Sequence, residues 1–499
     1  MTFRLLLLVA TAGGASCASP WAALTPEPPI FAGRLGDVGT ESRRLASFPA
    51  DVNILRFEVA DLGKGWACIV EKEGSTFLVH NGAWSEPIER LHVILLSADG
   101  KRCAYQAGER FFVGGRAWAS DGITWVTPNP QVTRFAARGI RGLKEFMVVD
   151  GVQSEEFDYV SWPSFNADGT SVAYCARSGN RQWVVLDGRK LAEYEPYDRT
   201  SLIGRSNAPP GDKGPRKDMV DLPVPAFSAD GSSLAYPARR AGSEFVVLDH
   251  REGEAFAEVE PPIWSPRGKR LAYVASRDGK SCAVLDGKRG PWFDRVYATN
   301  FERKPTFSAD GSTLGYLARR GSAQVLAIEG RAEIEFPYAE VDGLALSPGG
   351  RNWAFIAGTA ASRRGKGWLE KSFVVTNEGP GPVWRSITIG DVTFAPGGVR
   401  FAYEADTGPG DSYHPRVIVD HHPQEHFRPA WRSSFSPNGR HVLHLIGDQS
   451  STNVVVDTTP GEPFDEIHFT DLTFSPDSTH VGFSARRGRE LWWNVVELK

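Results

Sequence analysis

The 499-residue chain lacks an excess of charge of either sign, since 56 lysine and arginine residues stand against 60 aspartate and glutamate residues. A protein that binds nucleic acid or an anionic membrane through charge needs a strongly basic surface. The net charge of −4 gives no support for such a surface. We therefore predict no nucleic-acid partner.

Sustained helical periodicity is also missing. Outside residues 1–24 and 198–222, no window repeats its apolar residues with the 3.6-residue period of a helix. We therefore predict no helix longer than about three turns outside those two ranges. No apolar run long enough for a transmembrane helix follows the N-terminal segment, so we predict no membrane span after it.

Cysteine is scarce, and the five residues show no paired spacing. Cys68, Cys103, Cys175 and Cys282 fall in different segments, three of them beside small apolar residues in predicted second strands. This placement favours buried free thiols. A Cys68–Cys103 disulfide is the alternative if the protein resides in an oxidising compartment.

Common catalytic motifs are absent. The sequence has neither a G-x-S-x-G nucleophile motif nor a glycine-rich phosphate loop between a strand and a helix. Residues 120–125 (SDGITW) are similar to a sialidase Asp box with one residue missing, which favours an ordinary repeat turn. We predict no cofactor and assign no catalytic residue.

The N-terminus is typical of an export signal. Arg4 precedes the apolar run 5–10 and the small-residue stretch TAGGASCAS, which together are too short to span a bilayer. We predict a signal peptide at residues 1–23 and a periplasmic or extracellular location. Two processing routes remain open, cleavage near residues 18–23 or lipid attachment at Cys17.

Residues 226–260 show the organising pattern of the chain. Short runs in which apolar and polar residues alternate (AFS, LAYPA, FVVLD, AFAEVE) have the period of two that half-buried strands require. Ala-Asp-Gly at 229–231 and Leu-Asp-His at 248–250 supply turn residues between them. Four strands, A to D, fill about 37 residues, the size of one propeller blade.

The same unit recurs along the chain. Third strands with a following turn end at Gly82, Gly114, Gly151, Gly188, His250, Gly287, Gly330, Gly379, His422, Thr459 and Leu498. The A-to-B turn recurs as LSADG, FNADG, FSADG, WSPRG, LSPGG, FAPGG, FSPNG and FSPDS. Because these aspartates stand at hairpin turns, we interpret them as structural.

The pattern F-S-P/A-D-G, then L-A-Y, then V-V-x-D-G resembles the WD-like repeats of TolB-type propellers in bacterial exported proteins. It also resembles the propellers that cap serine oligopeptidases. The resemblance implies an all-β propeller of about eleven four-stranded units over residues 51–499 and a role in binding or scaffolding. Either two propellers of about five and six blades divide near 225–262, or one unusually large ring forms. Within a leader at 24–50, PPIFAGRL is the candidate for the strand that completes the last unit.

Loop lengthening and arginine coincide on one face. The long segments 198–222, 358–372 and 406–415 are D-to-A or B-to-C connections, which lie at the same end of a propeller blade. Arginines concentrate in the B-to-C turns, where forked donors could bind carboxylate, phosphate or sulfate. The candidate binding residues are Arg239, Arg240, Arg319, Arg320, Arg363, Arg364, Lys366, Arg486 and Arg487. The alternative is that each arginine pairs with a neighbouring blade or is simply solvated.

Histidines cluster around residue 421. His422, Glu425 and His426 spell H-x-x-E-H, a zinc motif that requires a helix to bring its ligands to one face. The segment aligns instead with C-to-D hairpins and contains Pro423. His421, His422, Glu425 and His426 are thus weak metal candidates, and we predict no metal site.

Together these observations favour a non-enzymatic exported binding or scaffold module. Its partner would be a protein, an anionic small molecule or a glycan, bound by B-to-C and D-to-A loops. The alternative is a propeller hydrolase acting on a glycan or peptide, with carboxylates from distant blades converging in the central channel. Two carboxylates in one pocket at glycosidase spacing would favour the hydrolase.

Overall fold

The computed structural model describes residues 34–35, 37–88, 91–107, 110–119, 122–197, 222–297, 305–358, 364–365, 368–388, 392–407, 415–424, 430–448 and 450–498. Within these ranges the regular elements are β-strands, apart from one 3-10 turn at Asp61–Gly63. The predicted absence of long helices is confirmed for this part of the chain. No helix in these ranges is long and apolar enough to cross a membrane. The predicted signal peptide at residues 1–23, including Cys17, and residues 198–221 lie outside the described ranges.

The described strands form ten sheets, one of which has ten strands and contains two consecutive repeat units. The sheets thus account for eleven repeat units, called blades 1 to 11 below. In a typical blade, strands A, B, C and D follow one another as an antiparallel meander. The protein therefore has the predicted all-β, multi-blade propeller fold.

The first four blades lie between residues 52 and 194. Blade 1 contains Val52–Val59, Trp66–Lys72, Ser75–His80 and Ala83–Trp84. Blade 2 contains Leu91–Leu96, Cys103–Ala107, Arg110–Val113 and Arg116–Ala119. Blade 3 contains Ile123–Pro128, Phe135–Arg141, Lys144–Val149 and Val152–Gln153. Blade 4 contains Tyr159–Val160, Ser164–Phe165, Val172–Ser178, Arg181–Leu186 and Arg189–Tyr194.

The next three blades lie between residues 226 and 336. Blade 5 contains Ala226–Phe227, Leu234–Arg240, Ser243–Leu248 and Arg251–Glu252. Blade 6 contains Glu258–Val259, Ile263–Trp264, Leu271–Arg277, Lys280–Leu285 and Lys288–Arg289. Blade 7 contains Arg295–Val296, Thr306–Phe307, Leu314–Arg320, Ala323–Ile328 and Ile334–Phe336.

The last four blades lie between residues 340 and 497. Blade 8 contains Glu340–Leu346, Trp353–Gly358, Arg364–Gly365, Trp368–Thr376 and Gly379–Pro380. Blade 9 contains Trp384–Thr388, Thr393–Phe394, Phe401–Asp406, Pro415–Val419 and His422–Pro423. Blade 10 contains Ala430–Phe435, Val442–Gly447, Thr452–Val456 and Thr459–Pro460. Blade 11 contains Glu466–Phe474, His480–Arg487 and Glu490–Glu497.

Blade 11 is completed from the N-terminal segment, as expected, but by a different strand. Arg43–Ser47 lies beside Glu490–Glu497 at the edge of the sheet. The Ser42 hydroxyl accepts a hydrogen bond of 2.9 Å from the Val495 backbone N–H. PPIFAGRL was therefore the wrong segment: its last two residues, Arg34–Leu35, pair in parallel with Thr473 and Phe474 at the opposite edge.

Blades 8 and 9 share one sheet, which changes the interpretation of the segment 358–372. Its last part begins the nine-residue strand Trp368–Thr376, so it is not simply a long loop. That strand pairs with Trp384–Thr388, which in turn pairs with Phe401–Asp406 of blade 9. Backbone pairing between the two blades thus replaces the single bridges that link other blades, such as Glu244 with Phe256.

The described chain forms two compact units. The first contains residues 45–321 and 325–334, and the second contains the described residues up to Arg44, Ser322–Gln324 and residues 335–499. The predicted ring count and the predicted division near 225–262 stay predictions.

The core of each unit lies between the faces of neighbouring blades. In the first unit, Val246 of blade 5 packs with Phe256 and with Tyr273 of blade 6. In the second, Ile356 of blade 8 packs with Tyr403 and Ile418 of blade 9. The period-two pattern produces this arrangement because alternate side chains of one strand enter opposite interfaces.

The cysteines belong to this core. Cys68, Cys103, Cys175 and Cys282 are free thiols, so the predicted free state is confirmed and the Cys68–Cys103 disulfide is wrong. Burial raises the pKa of Cys103 and of Cys282 to about 11. Since the thiolate is the reactive form, these thiols are inert at neutral pH.

Candidate functional site

The two ends of each blade differ in chemistry. The A–B end carries the A-to-B and C-to-D turns, and the B–C end carries the B-to-C turn and the connection from strand D to the next blade.

At the A–B end, the A-to-B turn satisfies its own polar groups. In blade 5, the Ser228 hydroxyl donates to the Asp230 carboxylate at 2.6 Å and accepts from the Ser233 backbone N–H at 3.0 Å. The Ser232 backbone and hydroxyl also donate to Asp230. These hydrogen bonds hold the pKa of Asp230 well below its usual range. Related bonds recur at Ser97, Ser308, Ser436 and Ser475.

The C-to-D turn is joined to strand B by its aspartate. Asp187 has a left-handed backbone, with φ of 48°, and its carboxylate accepts from the Val172 backbone N–H at 2.8 Å. The same contact recurs with Asp150, Asp249, Asp286, Asp420 and Asp457, and with the amides Asn81 and Asn377. The recurrence supports the structural interpretation of the Asp-Gly turns.

At the B–C end, several predicted arginines form a repeated contact that we call the arginine clamp. In blade 6, the Arg277 guanidinium lies 5.0 Å from the ring centre of Phe256 and 3.1 Å from the Glu254 carboxylate. The ring comes from the connection leaving the preceding blade. Arg487 repeats this arrangement with Phe464 and Glu462. Arg240 and Arg320 repeat the ring contact with Tyr194 and Phe293, but their carboxylate partners, Glu252 and Glu333, come from their own blade.

Arg240, Arg320 and Arg487 each follow another arginine, which has other surroundings. Arg486 lies 3.5 Å from both Asp465 and Glu466, and Arg239 lies 3.9 Å from Glu195. Arg319 is exposed, and its backbone pairs with Arg295. Many predicted binding arginines thus contact acidic or aromatic groups of the chain. Anion binding by Arg239, Arg240, Arg319, Arg320, Arg486 and Arg487 stays a prediction.

The longest B-to-C connection holds the remaining candidates. Arg363 and Lys366 lie outside the described residues, as does the side chain of Arg364. The backbone of Arg364–Gly365 pairs with Leu369 and Trp368 in a short hairpin.

The histidine segment forms the predicted C-to-D hairpin, not a helix. His421 has φ of 67°, and its imidazole lies 4.9 Å from the Phe401 ring and 3.2 Å from the Tyr403 hydroxyl. Nδ1 of His422 lies 2.7 Å from the Asp420 carbonyl oxygen. Glu425 and His426 lie outside the described residues. Within the described ranges, no three His, Cys, Asp or Glu side chains are grouped as metal ligands.

His421 occupies a place where sister turns have glycine. Burial lowers the pKa of its imidazole, and a side-chain carbon on Gly381 would lie within 2.1 Å of the ring. Gly381 therefore leaves the space that the imidazole fills. These contacts give His421 a packing role.

Two grooves open in the first unit. The Trp118 groove, about 290 Å³, lies between the outer strands of blades 2 and 3 and includes Phe111, Arg141 and Phe146 in its lining. The Tyr105 groove, about 580 Å³, lies at the B–C end of blade 2 and includes Glu86, Arg110 and Phe112. Neither lining contains two carboxylates, the arrangement expected of a glycosidase. Sequence patterns did not indicate either groove, because each is built from two blades.

Neither a protein-family model nor a curated protein matches this chain. Among solved structures, a eukaryotic initiation factor is similar over 87% of this chain and 97% of its own, with 12% identity and a TM-score of 0.39. TolB from Acinetobacter baumannii is similar over 61% and 79%, with 14% identity and a TM-score of 0.25. An oligogalacturonate lyase in complex with manganese is similar over 59% and 94%, with 13% identity and a TM-score of 0.27. These identities and TM-scores are too low to support a conclusion about this chain. The propeller assignment therefore rests on its own sheets.

Proposed function

We propose that this protein is an exported, non-enzymatic binding or scaffold module of the TolB-like propeller type, and that it binds partners through the B–C end of its blades. The contrast between the two ends carries the proposal. Turns at the A–B end use their polar side chains to bond their own backbone, as Asp187 does with Val172. The B–C end has the longest connections, the arginine-rich turns and the Tyr105 groove.

The arginines favour an anionic ligand or an acidic protein segment. Clamped guanidinium groups remain partly accessible, since the side chains of Arg240 and Arg487 are 49% and 50% exposed. A guanidinium has five donors, so one that pairs with a glutamate can still donate to a second acceptor. Arg363, Arg364 and Lys366 add three cations within four residues of the sequence. Export is proposed from the N-terminal sequence, with Cys17 as the lipid site if cleavage precedes it.

The test replaces Arg363, Arg364 and Lys366 together with glutamine. A fluorescent hexaglutamate peptide and a sulfated heparin fragment serve as probes at low and moderate salt. We expect the variant to bind more weakly by about 1–3 kcal/mol and with a flatter salt dependence, because surface charge pairs are screened by salt. Unchanged affinity for both probes at both salt concentrations would contradict the anionic-ligand proposal.

A further inference from the structure

Blade 2 keeps the carboxylate of the arginine clamp and has an isoleucine at the ring position. The Ile88 backbone N–H donates to the Thr76 carbonyl at 2.8 Å, just as the ring residue Phe256 donates to Glu244 at 2.8 Å. Ile88 therefore occupies the ring position. Glu86 stands two residues before it, as Glu254 stands before Phe256.

The arginine itself is missing because the B-to-C hairpin of blade 2 is shorter. In blade 6, strand B continues to Arg277, which pairs with Lys280 across the turn. In blade 2, strand B ends at Ala107, which pairs with Arg110. Ala107 aligns with Ala275, so the strand ends two residues before the clamp position.

The Tyr105 groove occupies this place. Its lining includes Glu86, Ile88, Ala107 and Arg110 together with the rings of Tyr105 and Phe112. The two rings stack with centres 4.4 Å apart, and both are half-buried. Glu86 and Arg110 are exposed, and neither forms an ion pair with another described residue. The groove thus combines aromatic surface with a carboxylate that has no counter-ion in the described chain.

We propose that the Tyr105 groove binds an arginine side chain presented by a partner protein, in the way that neighbouring blades bind their own arginine. An arginine inserted here would meet the Glu86 carboxylate and the aromatic rings, the two kinds of group that surround Arg277 and Arg487. Arg110 at the rim is a cation that would compete with the inserted arginine for Glu86. Removing Arg110 should therefore strengthen binding of the arginine. The inference rests on the proposed function, because it assigns a partner to one groove of the B–C end.

The experiment uses the full chain and an acetylated Gly-Arg-Gly amide peptide, with the matching citrulline peptide as an uncharged control of the same shape. Ligand-observed NMR measures both affinities. We expect the arginine peptide to bind about two- to fivefold more tightly, as one exposed ion pair and one cation–π contact would allow. Glu86→Gln should remove this preference, and Arg110→Gln should increase it.

Glu155→Gln is the matched control, because Glu155 has the equivalent position in the connection to blade 4 but pairs with Lys190 of its own chain. It should leave the peptide affinity unchanged. Equal binding of the arginine and citrulline peptides, or unchanged preference in Glu86→Gln, would overturn the proposal. So would free arginine binding as tightly as the peptide, or tighter binding of a Gly-Asp-Gly peptide that depends on Arg110. Hexaglutamate binding by the Glu86→Gln variant is measured as well. If it stays normal while the arginine peptide shows no preference, the arginine-binding proposal fails and the proposed anionic-ligand function stands.

Discussion

The two ends of the blades use the same residue types for different purposes. At the A–B end, aspartates of the C-to-D turn accept from the first N–H of strand B, as Asp286 does from Leu271 at 2.9 Å, and Asp286 also pairs with Arg270. At the B–C end, arginines contact carboxylates and rings, as Arg320 does with Glu333 and Phe293, although carboxylates such as Asp465 also accept from a turn N–H there. When the acceptor for the first N–H of a buried strand is removed, water cannot easily take its place. When an exposed ion pair is removed, water solvates the remaining charge.

This contrast between the two ends allows a repeat protein to keep its fold while its sequence changes. Turns at the A–B end keep nearly the same length, because most of them place a side-chain acceptor opposite the first N–H of strand B. Connections at the B–C end have no such requirement, so 198–222, 358–372 and 406–415 could lengthen there. We expect stability to depend on the first end and binding on the second.

The largest effect on stability should come from the A–B end. Replacing Asp187 and Asp286 with alanine should lower the free energy of unfolding by about 2–4 kcal/mol in total, since each loses a cap and adds a left-handed alanine. Urea unfolding followed by fluorescence measures the change.

The matched control for that pair is asparagine. Asn81 and Asn377 make the same contact in blades 1 and 8, at 2.8 Å each. Asp187→Asn and Asp286→Asn should therefore lose much less stability than the alanine variants. If the alanine variant stayed as stable as the parent, or lost hexaglutamate binding while folded, the two ends would have been assigned the wrong way round.

A smaller effect on stability should come from the arginine clamp. Arg320→Ala should cost about 0.5–1 kcal/mol, because an exposed ion pair and a cation–π contact contribute little. Arg319→Ala, one residue earlier and exposed, should change stability within error. If Arg320→Ala lowered the free energy of unfolding as much as the aspartate pair does, the two ends would not differ in their contribution to stability.

Local patterns made the repeats predictable from sequence. The third strands in all eleven blades lie where the V-V-x-D-G pattern placed them, because period-two burial and a left-handed turn residue are both visible in a short window. The hairpin at His421 was also foreseen, since it aligns with VVLDG. Asp187 and Asp286 could be recognised as turn residues for the same reason.

Features built from distant segments could not be predicted. Arg43–Ser47 carries no turn signal, so PPIFAGRL looked the better candidate for completing blade 11. The clamp unites Arg277 with a ring and a carboxylate more than twenty residues away, and no spacing rule connects them. The Tyr105 groove exists because one hairpin is short, which becomes visible only when strand registers are compared.

The smallest effect should be a pH dependence at the A–B end. Hydrogen bonds from Ser475 and Thr479 lower the pKa of Asp477 to about 2 from an ordinary value near 3.8. Because the folded state holds the carboxylate ionised, this contribution is fully present above about pH 4 and is lost as pH falls towards 2. Asp477→Asn should keep the hydrogen bonds, as Asn438 does in blade 10 with Ser436 at 2.7 Å, but should not titrate. Urea unfolding at pH 7 and pH 3 should therefore show a slightly smaller loss of stability on acidification for the variant than for the parent. The side chain is exposed, so the difference will be small. An equal loss in both proteins would mean that the charge of the turn, unlike its hydrogen bonds, contributes nothing to the stability of this end.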